Sequence, residues 1–144
     1  MFAVLVDPDS YTDKDKLLKL SKLVNANAVD LILVGGSIIK DGDLNFTVKF
    51  LKQNCSVPVV IFPGNYHQVV ESADAILFLS LISGRNPEYL IGQQVISAPL
   101  IRQMNIETIA TGYMLIDTGK ESSVSIASNT CLLYTSDAAD DTPC

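Results

Sequence analysis

Residues 30–37 read Asp-Leu-Ile-Leu-Val-Gly-Gly-Ser, an apolar run halted by two glycines and a serine. The run is too short for a helix and has no polar face, so it predicts a strand covered on both sides, with the glycines turning the chain into a helix. The same grammar recurs outward from there. Residues 2–6 (FAVLV) are a second apolar run, closed by Asp7-Pro8-Asp9. Between these two runs Thr12 with Asp15 predicts a helix cap, and Leu17, Leu20, Leu23 and Val24 follow at helical spacing. Leu44, Val48 and Leu51 mark a second helix with Lys49 and Lys52 outward, and residues 57–62 (VPVVIF) a third strand, whose early Pro58 is tolerable at a strand start. Pro63-Gly64-Asn65 predicts a turn, and Asn65 with Gln68 the cap of a short third helix. Residues 75–79 (AILFL) predict a fourth strand, Asn86-Pro87 the start of a long helix toward Met104, and residues 108–117 a fifth strand before the turn Thr118-Gly119-Lys120. Residues 122–126 are expected to be a short extended piece.

Strands apolar on both faces, alternating with helices, predict an α/β protein with a parallel sheet built from right-handed βαβ units. A doubly wound open sheet and a (β/α)8 barrel share that pattern. Five strands complete a small doubly wound domain but are only part of a barrel, and periodicity does not separate the two.

The 144 residues suffice for one hydrophobic core, with 48% hydrophobic and 18% charged residues. Ten basic against sixteen acidic side chains, a net charge of -6, argue against a nucleic-acid binder that relies on a basic surface. No apolar run reaches the length of a membrane span, and the early acids Asp7 and Asp9 are foreign to a secretory signal. Cys55, Cys131 and Cys144 have neither metal-ligand spacing nor the makings of a disulfide framework, so a reducing, cytoplasmic setting is expected. Residues 131–144 change character: they hold two of the cysteines and three acids but no Lys or Arg. The run 131–141 resembles the conceptual translation of a sequencing-library transposon adapter. The expected organisation is therefore one domain over residues 1–130 and a non-native or disordered tail over 131–144, with the natural chain continuing differently past 130.

In both architectures ligands bind beyond the carboxyl ends of the strands. Those ends carry Asp7-Pro8-Asp9, Gly35-Gly36-Ser37, Pro63-Gly64-Asn65, Ser80 with Ser83-Gly84, and Tyr113 with Asp117. Carboxylates attract hard divalent cations, and glycines let backbone N–H groups approach anionic oxygens, so this set suits a phosphorylated ligand. Each residue also has a purely structural reading: Asp7 as a turn former, Ser37 as a helix cap, Tyr113 as a core tyrosine with a satisfied hydroxyl. His67 has no Cys or His nearby and reads as surface; Cys55 has no adjacent base and is not a nucleophile.

The order of these segments is more specific than any one of them. Asp-Pro-Asp after the first strand, Gly-Gly-Ser after the second, Phe-Pro-Gly-Asn after the third and Ala-Asp-Ala-Ile-Leu-Phe in the fourth resemble the geranylgeranylglyceryl phosphate synthase family. The stretches 81–93 (LISGRNPEYLIGQ) and 111–117 (TGYMLID) continue the likeness over nearly all of residues 1–130. The resemblance implies a partial (β/α)8 TIM barrel covering about the first five βα units. It implies a prenyltransferase that joins a polyprenyl (geranylgeranyl) chain, taken from its diphosphate, to the C3 hydroxyl of sn-glycerol 1-phosphate in ether-lipid biosynthesis. It further implies Mg²⁺ held at Asp7 and Ser37, substrate contacts at Gly35, Gly36 and Tyr113, and a homo-oligomeric parent working beside a membrane that it does not cross. The family's glycerol-phosphate loops and acidic base follow strands six to eight, beyond this chain, so an inactive fragment is expected; Ala110 also replaces a common proline. Phe78, Leu79, Tyr89, Leu90 and Ile91 are expected either as the wall of a prenyl groove or as ordinary core. The competing expectations are a receiver-like signalling module, which lacks its phospho-accepting Asp here, and another phosphate-binding barrel enzyme.

Overall fold

The computed structural model describes residues 1–116 and 123–130. Five strands, β1 (Ala3–Val6), β2 (Leu31–Val34), β3 (Val59–Ile61), β4 (Ala75–Leu81) and β5 (Glu107–Tyr113), form one sheet in the order β1-β2-β3-β4-β5, every neighbouring pair parallel. The order decides what periodicity left open. A doubly wound or receiver-like sheet reverses direction after its first crossovers, which buries β1 in the middle. Here β1 stands at an edge and the chain winds one way only, as in a barrel opened along one side.

The register places Val4, Val6, Ile32, Val34, Val59 and Ile61 on one face of the sheet. Helices α1 (Lys14–Ala26) and α2 (Leu44–Asn54) cover that face with Leu17, Val24, Val48 and Leu51, all withdrawn from water. The opposite face, with Leu33, Val60, Leu77 and Leu79, is the inner wall of the partial barrel; Leu5 on it is 54% exposed. β5 lies at the other edge and is largely exposed.

Several local expectations change. Helix α1 is capped by Asp13, not Thr12: the Asp13 carboxylate accepts from the Asp15 N–H at 3.0 Å, the interaction favoured at the positive end of a helix. Asp43 caps α2 in the same way, accepting from the Phe46 N–H at 2.9 Å. No helix forms between β3 and β4. The chain makes two turns, the first with Asn65 receiving the N–H groups of His67 (2.9 Å, side chain) and Gln68 (3.1 Å, backbone), the second closed by the Ala73 N–H on Val70 O at 3.3 Å. The Gln68 side chain reaches back to the Gly64 N–H of the same loop and across to the Gly36 carbonyl of the loop after β2. Asn86 does accept from the Glu88 N–H (3.0 Å), but the following turn, Glu88–Gly92, has π spacing before α3 (Gln93–Met104) begins; Asn105, at φ 54°, ends α3 in the left-handed conformation. Residues 114–116 leave the sheet.

Within the expected extended piece 122–126, the described residues belong instead to a short helix, α4 (Ser123–Ser128). Its last carbonyls, which a helix end leaves without partners, are taken up from outside: the Asn86 side chain donates to Ala127 O at 2.6 Å, and the Asn86 and Arg85 backbone N–H groups to Ser128 O and Asn129 O. The Thr118-Gly119-Lys120 turn, Asp117 and the tail 131–144 lie outside the described residues.

Candidate active site at the strand tips

The carboxyl ends of β1 and β2 meet through a backbone bond from the Gly35 N–H to Val6 O at 3.1 Å. One residue on, Asp7 is half-buried and caps the single 3-10 turn Pro8–Ser10, its Oδ1 accepting from the Asp9 N–H at 3.0 Å. Its carboxylate rests against Gly36: a Cβ there would stand 3.2–3.3 Å from the carboxylate atoms. Ser37 follows immediately and is exposed at the rim. Asp7, Gly35, Gly36 and Ser37 are thus brought together at neighbouring strand tips, on the same end of the sheet.

Asp9 has a different occupation. Its carboxylate accepts from three consecutive backbone N–H groups, Lys40, Asp41 and Gly42, at 2.6–3.2 Å. The bond from Lys40, followed by that from Gly42, holds the carboxyl below the ordinary aspartate range. Asp9 therefore clamps the loop that leads from Ser37 into α2. Asp74 plays a comparable part below β3: burial opposes its ionisation, yet hydrogen bonds from Lys52 and from the Val59 N–H (2.8 Å) outweigh this and hold its carboxyl low.

A cavity of ≈ 340 Å³ opens from the Gly35-Gly36-Ser37 loop. Its walls come from the loop after β3 (Phe62, Tyr66, Val69), from both faces of β4, and from the π turn and α3. Such a course is possible because β3 stops at Ile61 while β4 runs on to Leu81, and no helix covers the gap after β3. Phe78, Leu79 and Tyr89 line the cavity, whereas Leu90 and Ile91 do not and are 42% and 63% exposed. Tyr113, half-buried at the end of β5, also lines it, with its ring 6.0 Å from that of Phe62. Gln94 pins the wall by donating to Leu79 O (2.6 Å) and Tyr89 O (3.0 Å), and its buried Oε1 has no partner.

His67 is exposed and stacks on Tyr66 at 3.8 Å, and Cys55 ends α2. Among the described residues no three His, Cys, Asp or Glu side chains gather as a metal cluster. The donor set at Asp7 and Ser37 is thus one carboxylate and one hydroxyl. That fits Mg²⁺, which is commonly held by one or two carboxylates and completes its shell with water and substrate phosphates.

The PcrB family profile matches residues 2–139. The chain belongs to the PcrB family. A geranylgeranylglyceryl phosphate synthase of Chitinophaga pinensis is 49% identical over 129 residues, which are 90% of this chain and 51% of that protein. One of Methanosphaera stadtmanae is 45% identical over 115 residues, 80% of this chain and 47% of the relative. In three dimensions the chain is similar to the Thermoplasma acidophilum (S)-3-O-geranylgeranylglyceryl phosphate synthase in complex with its substrate sn-glycerol-1-phosphate: TM-score 0.81, 29% identity, 92% of this chain and 53% of that one. The wild-type enzyme of Thermoplasma volcanium gives the same TM-score of 0.81. This PcrB chain spans about half the length of the curated relatives it matches, and its single-direction sheet is a partial (β/α)8 barrel, the first five strands of eight. Membership in the family removes the receiver-like reading, as the strand order already did. No described helix is long and apolar enough to cross a membrane.

Proposed function

We propose that this chain carries the diphosphate and prenyl half of a prenyltransferase that alkylates the C3 hydroxyl of sn-glycerol 1-phosphate with a polyprenyl, here geranylgeranyl, group. One observation carries the reading: an apolar cavity of ≈ 340 Å³ begins at Gly35-Gly36-Ser37, where Gly36 turns its open side to the Asp7 carboxylate. Its size lies within the range of about 300–1,000 Å³ usual for small-molecule sites. A ligand with a polyanionic diphosphate head and a long apolar tail matches both ends. Gly35 and Gly36 leave backbone open to the phosphate oxygens; Phe78, Leu79 and Tyr89 exclude water from the tail.

Asp7 and Ser37 would hold Mg²⁺, which when bound neutralises the diphosphate and makes it a better leaving group. The bond from prenyl C1 to the diphosphate oxygen breaks, the diphosphate leaving with the electron pair, and a new bond forms between C1 and the glycerol O3. The hydroxyl proton goes to a base in the later strands, where the family resemblance puts an acidic residue. Tyr113, at the mouth beside Phe62, is assigned to the acceptor side, its hydroxyl orienting the glycerol phosphate. The 144-residue chain accordingly binds the prenyl diphosphate without turning it over, and the complete protein works as a homo-oligomer in the cytoplasm.

Calorimetric titration of the chain with geranylgeranyl diphosphate, with and without Mg²⁺, tests this. Binding is expected to require Mg²⁺ and to weaken by about tenfold or more in Asp7→Asn, the loss of a charge-assisted contact. Affinity no greater than for inorganic pyrophosphate, or indifferent to Mg²⁺, would defeat the assignment.

A further inference from the structure

Gln68 is only 4% exposed, although it lies in a loop and carries a fully polar side chain. Its amide joins two strand tips: Oε1 accepts from the Gly64 N–H at 2.9 Å, and Nε2 donates to the Gly36 carbonyl at 2.9 Å. The backbone N–H of Gln68 donates to Asn65 O at 3.1 Å, which fixes the point from which the side chain reaches. A primary amide is suited to this place because it presents a donor and an acceptor in one rigid plane without charge.

The loops it joins are already in contact. A methyl on Gly64 would stand 2.3 Å from Gly36 O and 2.8 Å from Ser37 Cα, all backbone atoms. On its other side Gly36 faces the Asp7 carboxylate, which a Cβ there would meet at 3.2–3.3 Å. The Gly36-Ser37 backbone is thus held between the Gly64 loop on one side and the Asp7 carboxylate on the other. Buried as it is, the amide has no water to substitute for its two bonds, so removing it leaves the Gly64 N–H and the Gly36 carbonyl without partners.

We propose that Gln68 is a positioning residue: its amide latches the β3 loop to the β2 loop and so sets the separation of the Asp7 carboxylate and the Ser37 hydroxyl, and with it their affinity for a magnesium-bound diphosphate. This role rests on the assignment of that pair to Mg²⁺ and diphosphate made above.

The test uses the 144-residue chain, with inorganic pyrophosphate and Mg²⁺ as probes. Gln68→Met keeps the length and removes both bonds. Gln68→Glu keeps the acceptor for Gly64 but turns an oxygen toward the Gly36 carbonyl. In both, the Mg²⁺ concentration for half-maximal pyrophosphate binding is expected to rise about tenfold, the equivalent of one buried hydrogen bond. Pyrophosphate affinity is expected to recover at saturating Mg²⁺, and the Gly64 amide proton to exchange faster by NMR. Val48→Ala, a truncation in the α2 core, serves as the stability control and should leave the Mg²⁺ midpoint in place. If the unsubstituted chain shows no Mg²⁺-dependent pyrophosphate binding, the reading of the Asp7–Ser37 pair falls and the latch falls with it. If it does bind, but both Gln68 variants keep its Mg²⁺ midpoint or Val48→Ala shifts it equally, the latch is refuted while the reading of the pair stands.

Discussion

Gly35→Ala is the sharpest single test of how the site is assembled. A Cβ on Gly35 would lie 1.9 Å from the Phe62 carbonyl oxygen and 2.8 Å from its carbon, where ordinary contact begins at 3.4 Å. Both obstacles are backbone, so no side chain can swing aside. The strands must part by about 1.5 Å, too far for a shared ladder bond to survive. One bond bridges β2 and β3 at that point, Phe62 N–H to Val34 O (2.9 Å). Losing it costs about 0.5–1.5 kcal/mol, and overpacking adds about 1–3 kcal/mol, for a total near 3 kcal/mol. For a domain whose stability is on the order of 5–15 kcal/mol, that is a large fraction. With a urea slope of roughly 1–3 kcal/mol/M, the unfolding midpoint should fall by between about 1 and 3 M. Gly92→Ala is the matched control: its Cβ would meet only the far end of the Glu88 side chain, 2.9 Å away, in helical backbone where alanine is favoured. It should leave the midpoint unchanged or raise it slightly. A Gly35→Ala midpoint within about 0.3 M of the parent, corresponding to less than ~1 kcal/mol, would refute the close approach of β2 to β3 on which the site depends.

Two further outcomes follow from charge and from the sheet edges. The folded-state pKa of Asp9 lies below its unfolded value, so its contribution to stability is present above the unfolded value and disappears as pH falls through the folded one. Asp9→Asn should therefore lower stability at neutral pH and flatten the acid limb of a urea-midpoint profile; an unchanged acid limb would show that the 40–42 loop is held by other groups. β1 and β5 present unpaired strand edges, with Leu5 54% and Ile109 38% exposed, so the chain should self-associate at micromolar concentration in sedimentation velocity. A chain that stays monomeric under those conditions would contradict it.

Much of the fold was legible because strands and helices are marked locally. The runs at 2–6, 30–34 and 75–79 are apolar without periodic polar breaks, and Leu17, Val24, Val48 and Leu51 lie at helical spacing; each of those four is buried. Residues 62–74 misled for a physical reason. Asn65 begins a turn as its side chain predicts, but Gln68, read as part of a cap, bonds back to Gly64 and across to Gly36, and the second partner is remote in sequence. Residues 122–126 read as extended, yet the described part is helical because Arg85 and Asn86, some forty residues away, take up the carbonyls at its end. Asp7 and Ser37 could be singled out by motif order, whereas Asp9, two residues from Asp7 and of the same type, proved to be a loop clamp.

The amino-acid order by itself determines which segments are strands and helices and which polar residues stand at strand ends, since backbone preference and side-chain period act over a few residues. It does not determine on which side each new strand is added, because a right-handed crossover is equally short either way. Only the packed sheet decides that: with β1 at an edge and helices α1 and α2 covering one face of the first three strands, a cavity is left at the strand tips and around β4. Whether a polar side chain serves the site or its frame is likewise settled by which distant backbone groups folding brings within hydrogen-bond reach of it, as the three amides around Asp9 and the two loops joined by Gln68 show.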